Sequence, residues 1–143
     1  MTTWRPEDRL KLLSELLDEL AHRPSDVVLL VEGQRDRGGL RLLGVEGDVI
    51  LVQQSGGILK VAEELAKNHK KAIILTDWDR KGGQLNRLLR EALEANAVPY
   101  DDKTRRRLAK IVSGEIKDVE SLPWYFSRLV SNVGIPHGEG YQG

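Results

Sequence analysis

The chain has 143 residues, with 22 Lys and Arg against 22 Asp and Glu, 40% hydrophobic residues and no cysteine. That length fits one compact domain, and the missing cysteine excludes disulfide frameworks, thiolate metal sites and thiol nucleophiles, so any metal must sit on oxygen or histidine. No apolar run nears the ~20 residues of a membrane span, Met1–Asp8 carries acids where a leader needs a basic start, and zero net charge argues against bulk electrostatic attachment to nucleic acid. A cytoplasmic protein with no membrane partner is expected.

Pro6 followed by Glu7 and Asp8 opens a helix, because the missing proline N–H costs nothing in a first turn and the acids face the positive helix end. Leucines 10, 13, 16, 17 and 20 recur at helical spacing and carry it to about His22. Pro24-Ser25-Asp26 ends it, and Val27–Val31 is a continuous aliphatic run that reads as a strand buried on both faces. Val49–Val52 and Ala72–Leu75 repeat that pattern, and helical segments are expected at about 36–44, 57–69 and 83–96. Alternating strands and helices predict an α/β fold with right-handed crossovers. Val98-Pro99-Tyr100 reads as a short edge strand, followed by a basic helix over about 103–112 and another over about 118–131 with Pro123 in a first turn. The glycine-rich residues 134–143 are expected to form a flexible tail.

In an open parallel sheet, function collects beyond the carboxyl ends of the strands. The first strand leaves through Glu32-Gly33, the second through Gln53-Gln54-Ser55-Gly56-Gly57, and the third through Asp77-Trp78-Asp79-Arg80-Lys81-Gly82-Gly83. Glu32, Asp77 and Asp79 are thereby predicted to share one edge. Extended residues at i and i+2 point the same way, so Asp77 and Asp79 can reach one hard cation such as Mg²⁺. Clustered acids repel, so one of them, taken to be Glu32, is expected to have a raised pKa and to serve as a general acid. Ser55 and Gly56 offer close backbone approach, and Arg35, Arg80 and Lys81 offer positive charge, to a phosphate. Residues 79–110 hold nine basic against five acidic side chains, a further candidate surface for a phosphate backbone. Trp78 reads as a packing residue and Arg105-Arg106-Arg107 as a solvated helix face. His22, His69 and His137 share no ligand spacing. Gly33–Gly38 has P-loop glycine spacing, but Gly39-Leu40 stands where Lys-Ser/Thr is needed. The Asp-x-Asp of haloacid-dehalogenase-type phosphatases follows the first strand, not the third.

Val31-Glu32-Gly33-Gln34-Arg35-Asp36 and Leu75-Thr76-Asp77-Trp78-Asp79-Arg80-Lys81-Gly82 together resemble the two motifs of the Toprim domain, the module shared by topoisomerases, bacterial-type primases, overcoming-lysogenization-defect nucleases and the ribonucleases that mature 5S ribosomal RNA. The resemblance covers about residues 26–102. It implies a Rossmann-like α/β fold, a central mainly parallel sheet of about four strands flanked by helices. It also implies that Glu32 acts as general acid or base while Asp77 and Asp79, helped by Glu32, hold Mg²⁺, with Mn²⁺ able to substitute. The expected organisation is one domain over 1–143, with this core, an N-terminal helix at about 6–22 and a C-terminal helical extension at about 103–133. The expected function is Mg²⁺-dependent phosphodiester chemistry on RNA or DNA, nuclease-like processing by a small stand-alone Toprim protein. The alternative is a non-catalytic nucleic-acid-binding or assembly subunit working with a protein partner. Trp78 is bulkier than the residue common between the two acids in related proteins. Lys117-Asp118-Val119-Glu120 resembles a Val-Glu motif of the ribosomal-RNA-maturing members, which makes Glu120, with Asp36, an accessory candidate.

Overall fold

A computed structural model of the chain describes residues 4–134. The tail expected over 134–143 falls, apart from Gly134, outside the described residues. Helix α1 (Pro6–Ala21) starts with proline in its first turn and the Asp8 carboxylate accepting the Arg5 N–H at 3.4 Å, and it buries Leu13, Leu16, Leu17 and Leu20. Strand β1 (Val27–Val31) leads into α2 (Gln34–Leu42), and β2 (Val49–Leu51) is followed by a single 3₁₀ turn at Val52–Gln54. Helix α3 (Ile58–Lys67), β3 (Lys71–Ile74), α4 (Arg80–Ala95), β4 (Tyr100–Asp101), α5 (Lys103–Ile111) and α6 (Leu122–Gly134) complete the order.

The sheet runs β2-β1-β3-β4 and all its pairings are parallel, with Leu29 opposite Val49 and Ile73, and Ala72 opposite Tyr100. Alternation along β1 divides the core. Leu29 and Val31 face a cluster built with α1, α2, α5 and α6, whereas Val28 and Leu30 face one built with α3 and α4. This is the expected α/β architecture, with both faces of a short parallel sheet covered.

Several boundaries differ from the sequence reading, each for a local reason. Val52 leaves the second strand for the 3₁₀ turn, which carries Gln53 to within 3.1 Å of the Glu32 carbonyl through its N–H. Helix α4 starts at Arg80, three residues early, because Asp79 caps it, so Gly82 and Gly83 lie in its first turn rather than in a loop. The last helix starts at Leu122, since residues 118–121 form a turn in which Asp118 accepts the Ser121 N–H at 2.9 Å. Because all four strands run the same way, their exits open on one edge, and that edge carries the polar side chains described next.

Candidate metal and phosphodiester site

Glu32 closes an apolar strand, and its burial is matched by a partner: Oε2 accepts the Asp77 N–H at 2.9 Å. This bond joins the exits of β1 and β3 across 45 residues. The Asp77 carboxylate in turn accepts the Val119 N–H at 2.9 Å through Oδ1, and Asp79 Oδ1 accepts the Gly82 N–H at 2.7 Å as the cap of α4. Each of the three carboxylates therefore spends one oxygen on a backbone N–H. The second oxygen of each accepts no hydrogen bond among the described residues.

Burial pushes the Asp77 carboxyl up to about 7, the Val119 N–H opposes this, and the negative charges of Glu32, Asp36 and Asp118 add to it. Asp36 is also raised, first by burial and then by Glu32, Glu120 and Asp118, although its Oδ2 accepts the Gly33 N–H at 3.0 Å. The sequence reading assigned the raised group to Glu32; the structure raises Asp77, whose half-buried carboxyl sits among three other acids. Asp36 is a capping residue for α2, buried to 5% exposure.

The donor chemistry suits a hard divalent cation, since each of the three carboxylates keeps an oxygen that accepts no hydrogen bond among the described residues and such an ion takes oxygen ligands. Glu32, Asp77 and Asp79 would hold it. Among the described residues, no three acidic or histidine side chains converge closely enough to hold an ion as they stand, so these three would have to rotate towards one another to share one.

The β3 exit is fastened from several directions. Trp78 packs against the α1 side of the core and donates Nε1 to the Ile116 carbonyl at 2.8 Å, while its N–H reaches the Lys117 carbonyl at 3.1 Å. Thr76 Oγ1 donates to the Gly82 carbonyl at 2.9 Å. A Cβ at Gly82 would lie 1.9 Å from the Asp77 carbonyl oxygen, so only glycine permits α4 to start here. Arg105 donates Nε to the Thr76 carbonyl at 2.9 Å and Nη2 to the Asp77 carbonyl at 2.7 Å.

The candidate phosphate-binding residues are more dispersed. Arg80 and Lys81 are exposed in the first turn of α4. Arg35, 86% exposed, lies 4.0 Å from the Glu120 carboxylate, which places Glu120 beside the first turn of α2. Ser55 turns its hydroxyl back to the Val52 carbonyl at 2.9 Å, and Gly56, at φ +86°, lies against the Lys60 side chain. Part of the basic surplus of residues 79–110 is engaged by the protein itself. Arg90 and Arg106 face Asp102 at 3.8 and 3.0 Å, Arg107 pairs with Glu19 at 3.0 Å, and Arg105 grips the backbone. Arg105, expected with Arg106 and Arg107 on a solvated helix face, is instead half-buried against the 76–77 backbone, and it and Gly82 shape the β3 exit without having been singled out from the sequence. The Gly82-Gly83 pair after the acids was the available signal for Gly82, while nothing local distinguishes Arg105 within a run of three arginines.

Comparison with known proteins places these features in context. The profile of the Toprim domain matches residues 8–111, from within α1 to the end of α5. The chain is 38% identical over 128 residues to a UPF0292 protein of Methanosarcina acetivorans, covering 89% of this chain and 88% of that one. It is 37% identical over 137 residues to a UPF0292 protein of Thermococcus gammatolerans, covering 94% and 98%. Among solved structures, a putative protein from Aquifex aeolicus superposes with a TM-score of 0.65 at 30% identity, covering 76% of this chain and 96% of that one. No helix among the described residues is long and apolar enough to cross a membrane.

Proposed function

The chain belongs to the Toprim domain family, and from that premise we propose that it carries out Mg²⁺-dependent phosphodiester chemistry on nucleic acid, nuclease-like processing of RNA or DNA centred on Glu32, Asp77 and Asp79. At family level the domain points to metal-dependent nucleic-acid processing. The observation that carries the finer reading is the Glu32–Asp77 hydrogen bond, which brings the acids of two strand exits together while leaving each a free oxygen.

When bound, Mg²⁺, or Mn²⁺ in its place, supplies positive charge to the phosphate and to the leaving oxygen. Glu32, held through Oε2, keeps Oε1 for moving a proton to or from that oxygen. Arg35, Arg80 and Lys81 stand exposed on the first turns of α2 and α4, where long cationic side chains and helix N-termini both attract a phosphate backbone. Ser55 and Gly56 bound the same edge on the β2 side, and Asp36 and Glu120 act as accessory groups through the capping of α2 and the pairing of Arg35.

A second reading is a nucleic-acid-binding or assembly subunit that works with a protein partner, and it is favoured by the arrangement of the described residues, among which no three carboxylates converge. Labelled structured RNA, single-stranded DNA and duplex DNA, incubated with Mg²⁺ or Mn²⁺, separate the two. The proposal expects metal-dependent cleavage that Glu32→Gln abolishes while largely sparing metal binding, which Asp77 and Asp79 carry. Turnover unchanged in Glu32→Gln removes the proton-transfer role, and salt-dependent binding without cleavage of any substrate supports the second reading.

A further inference from the structure

The turn that carries Asp77 and Asp79 is held by a side chain from outside both motifs. The Arg105 guanidinium spans two successive carbonyls, those of Thr76 and Asp77, at 2.9 and 2.7 Å. The same Asp77 carbonyl lies against Gly82, and Thr76 also bonds Gly82 through its hydroxyl, so α5, the turn and the start of α4 are tied into one unit. Arg105 differs from its neighbours in what it bonds. Arg106 and Arg107 each reach a carboxylate at 3.0 Å, whereas Arg105 has no carboxylate oxygen within 4.0 Å among the described residues. Its environment is nonetheless acidic: burial lowers its pKa, and the charges of Asp77, Asp79 and Glu32 oppose that lowering.

This arrangement has a specific logic. A cation beside a divalent-metal site repels the incoming ion, so a positive charge placed there for its charge alone works against binding. A guanidinium bonded to backbone carbonyls fixes the peptide geometry and leaves the carboxylate oxygens free. Its planar fork matches two neighbouring acceptors in a way that the single ammonium of lysine does not.

We propose that Arg105 is a positioning residue for the candidate cation site, and that its fork rather than its charge holds the 76–77 backbone in the arrangement from which Asp77 and Asp79 take a divalent cation together. The inference rests on the metal reading of the site and goes beyond it in assigning a role to α5.

The test is titration of Mn²⁺ into the full chain, with free Mn²⁺ followed by electron paramagnetic resonance, for wild type, Arg105→Lys, Arg105→Gln and, as control, Arg107→Gln. Melting temperatures are measured alongside. Loss of an outer-shell group that orients metal ligands costs on the order of 10-fold in affinity. Arg105→Lys and Arg105→Gln are both expected to weaken Mn²⁺ binding by about that factor while still folded at the titration temperature, with Arg107→Gln unchanged. If Arg105→Gln does not fold, Arg105→Lys, which keeps the charge and loses the fork, decides. Wild-type affinity in Arg105→Lys, or tighter binding in Arg105→Gln, overturns the inference while leaving the metal reading standing. Absence of Mn²⁺ binding to the wild type overturns both.

Discussion

The two strand exits that meet at the site are built differently. The β1 exit, Glu32-Gly33, is held by few bonds: Asp36 caps Gly33 three residues on, the Gln53 N–H reaches the Glu32 carbonyl, and the Glu32 carboxylate takes the Asp77 N–H of the other exit. The β3 exit, residues 76–82, is fastened by Arg105 from α5 and by the 116–119 segment, partners 28 to 42 residues away. Glu32 takes one partner from the other exit, the Asp77 N–H, whereas the turn that carries Asp77 and Asp79 has two carbonyls, the Trp78 N–H and the Trp78 side chain bonded from later segments. The helical extension after the fourth strand thus helps to hold the turn that carries Asp77 and Asp79.

That contrast can be broken most sharply at Gly82. Gly82→Ala drives a Cβ into the Asp77 carbonyl and is expected to cost about 3 kcal/mol and to remove metal binding, read by urea unfolding and Mn²⁺ titration. Next comes the ionisation of Asp77. Its folded-state pKa of about 7, against an ordinary 3.8, means that the folded chain keeps a proton which the unfolded chain has already released. In metal-free buffer, stability should therefore fall as pH rises from about 4 to about 7 and level off above. Asp77→Asn, which keeps an acceptor for the Val119 N–H, should flatten that fall in urea melts at pH 5 and pH 8; an unchanged slope assigns the pH dependence elsewhere. Trp78→Phe removes the bond to the Ile116 carbonyl and should cost about 1 kcal/mol, seen as a lowering of the melting temperature by roughly 2–4 °C. At the β1 exit, Arg35→Ala breaks only a long, exposed ion pair and should change stability by less than about 0.5 kcal/mol; a larger loss would show the two exits to be more alike than described.

The sheet was legible because burial writes itself locally. Val27–Val31 is apolar throughout and forms β1 with those bounds, and the parallel order follows from helices separating the strands. The pairing of the two motifs was legible for the same reason, since parallel strands must exit on one edge. Two kinds of feature were not. Gly82 reads as a loop residue before a helix starting at about 83, yet it lies in the first turn of α4, because a close approach between helix and turn demands a missing side chain there. Arg105, Trp78 and the 116–119 segment make their bonds across dozens of residues, and no spacing or periodicity marks such partners. The raised carboxyl was misplaced for a related reason. Which acid titrates high depends on burial and on how many charges face it, and Asp77 gains Asp36 and Asp118 as neighbours only once the chain folds.

The most direct test of the account is a crystal of the full chain soaked in Mn²⁺, with the ion located by its anomalous signal. The account predicts a single strong peak coordinated by Asp77 and Asp79 with Glu32 beside it, and Arg105 still on the Thr76 and Asp77 carbonyls. A peak at Asp36 and Asp118 instead, or none at the β3 exit under saturating Mn²⁺, would contradict it.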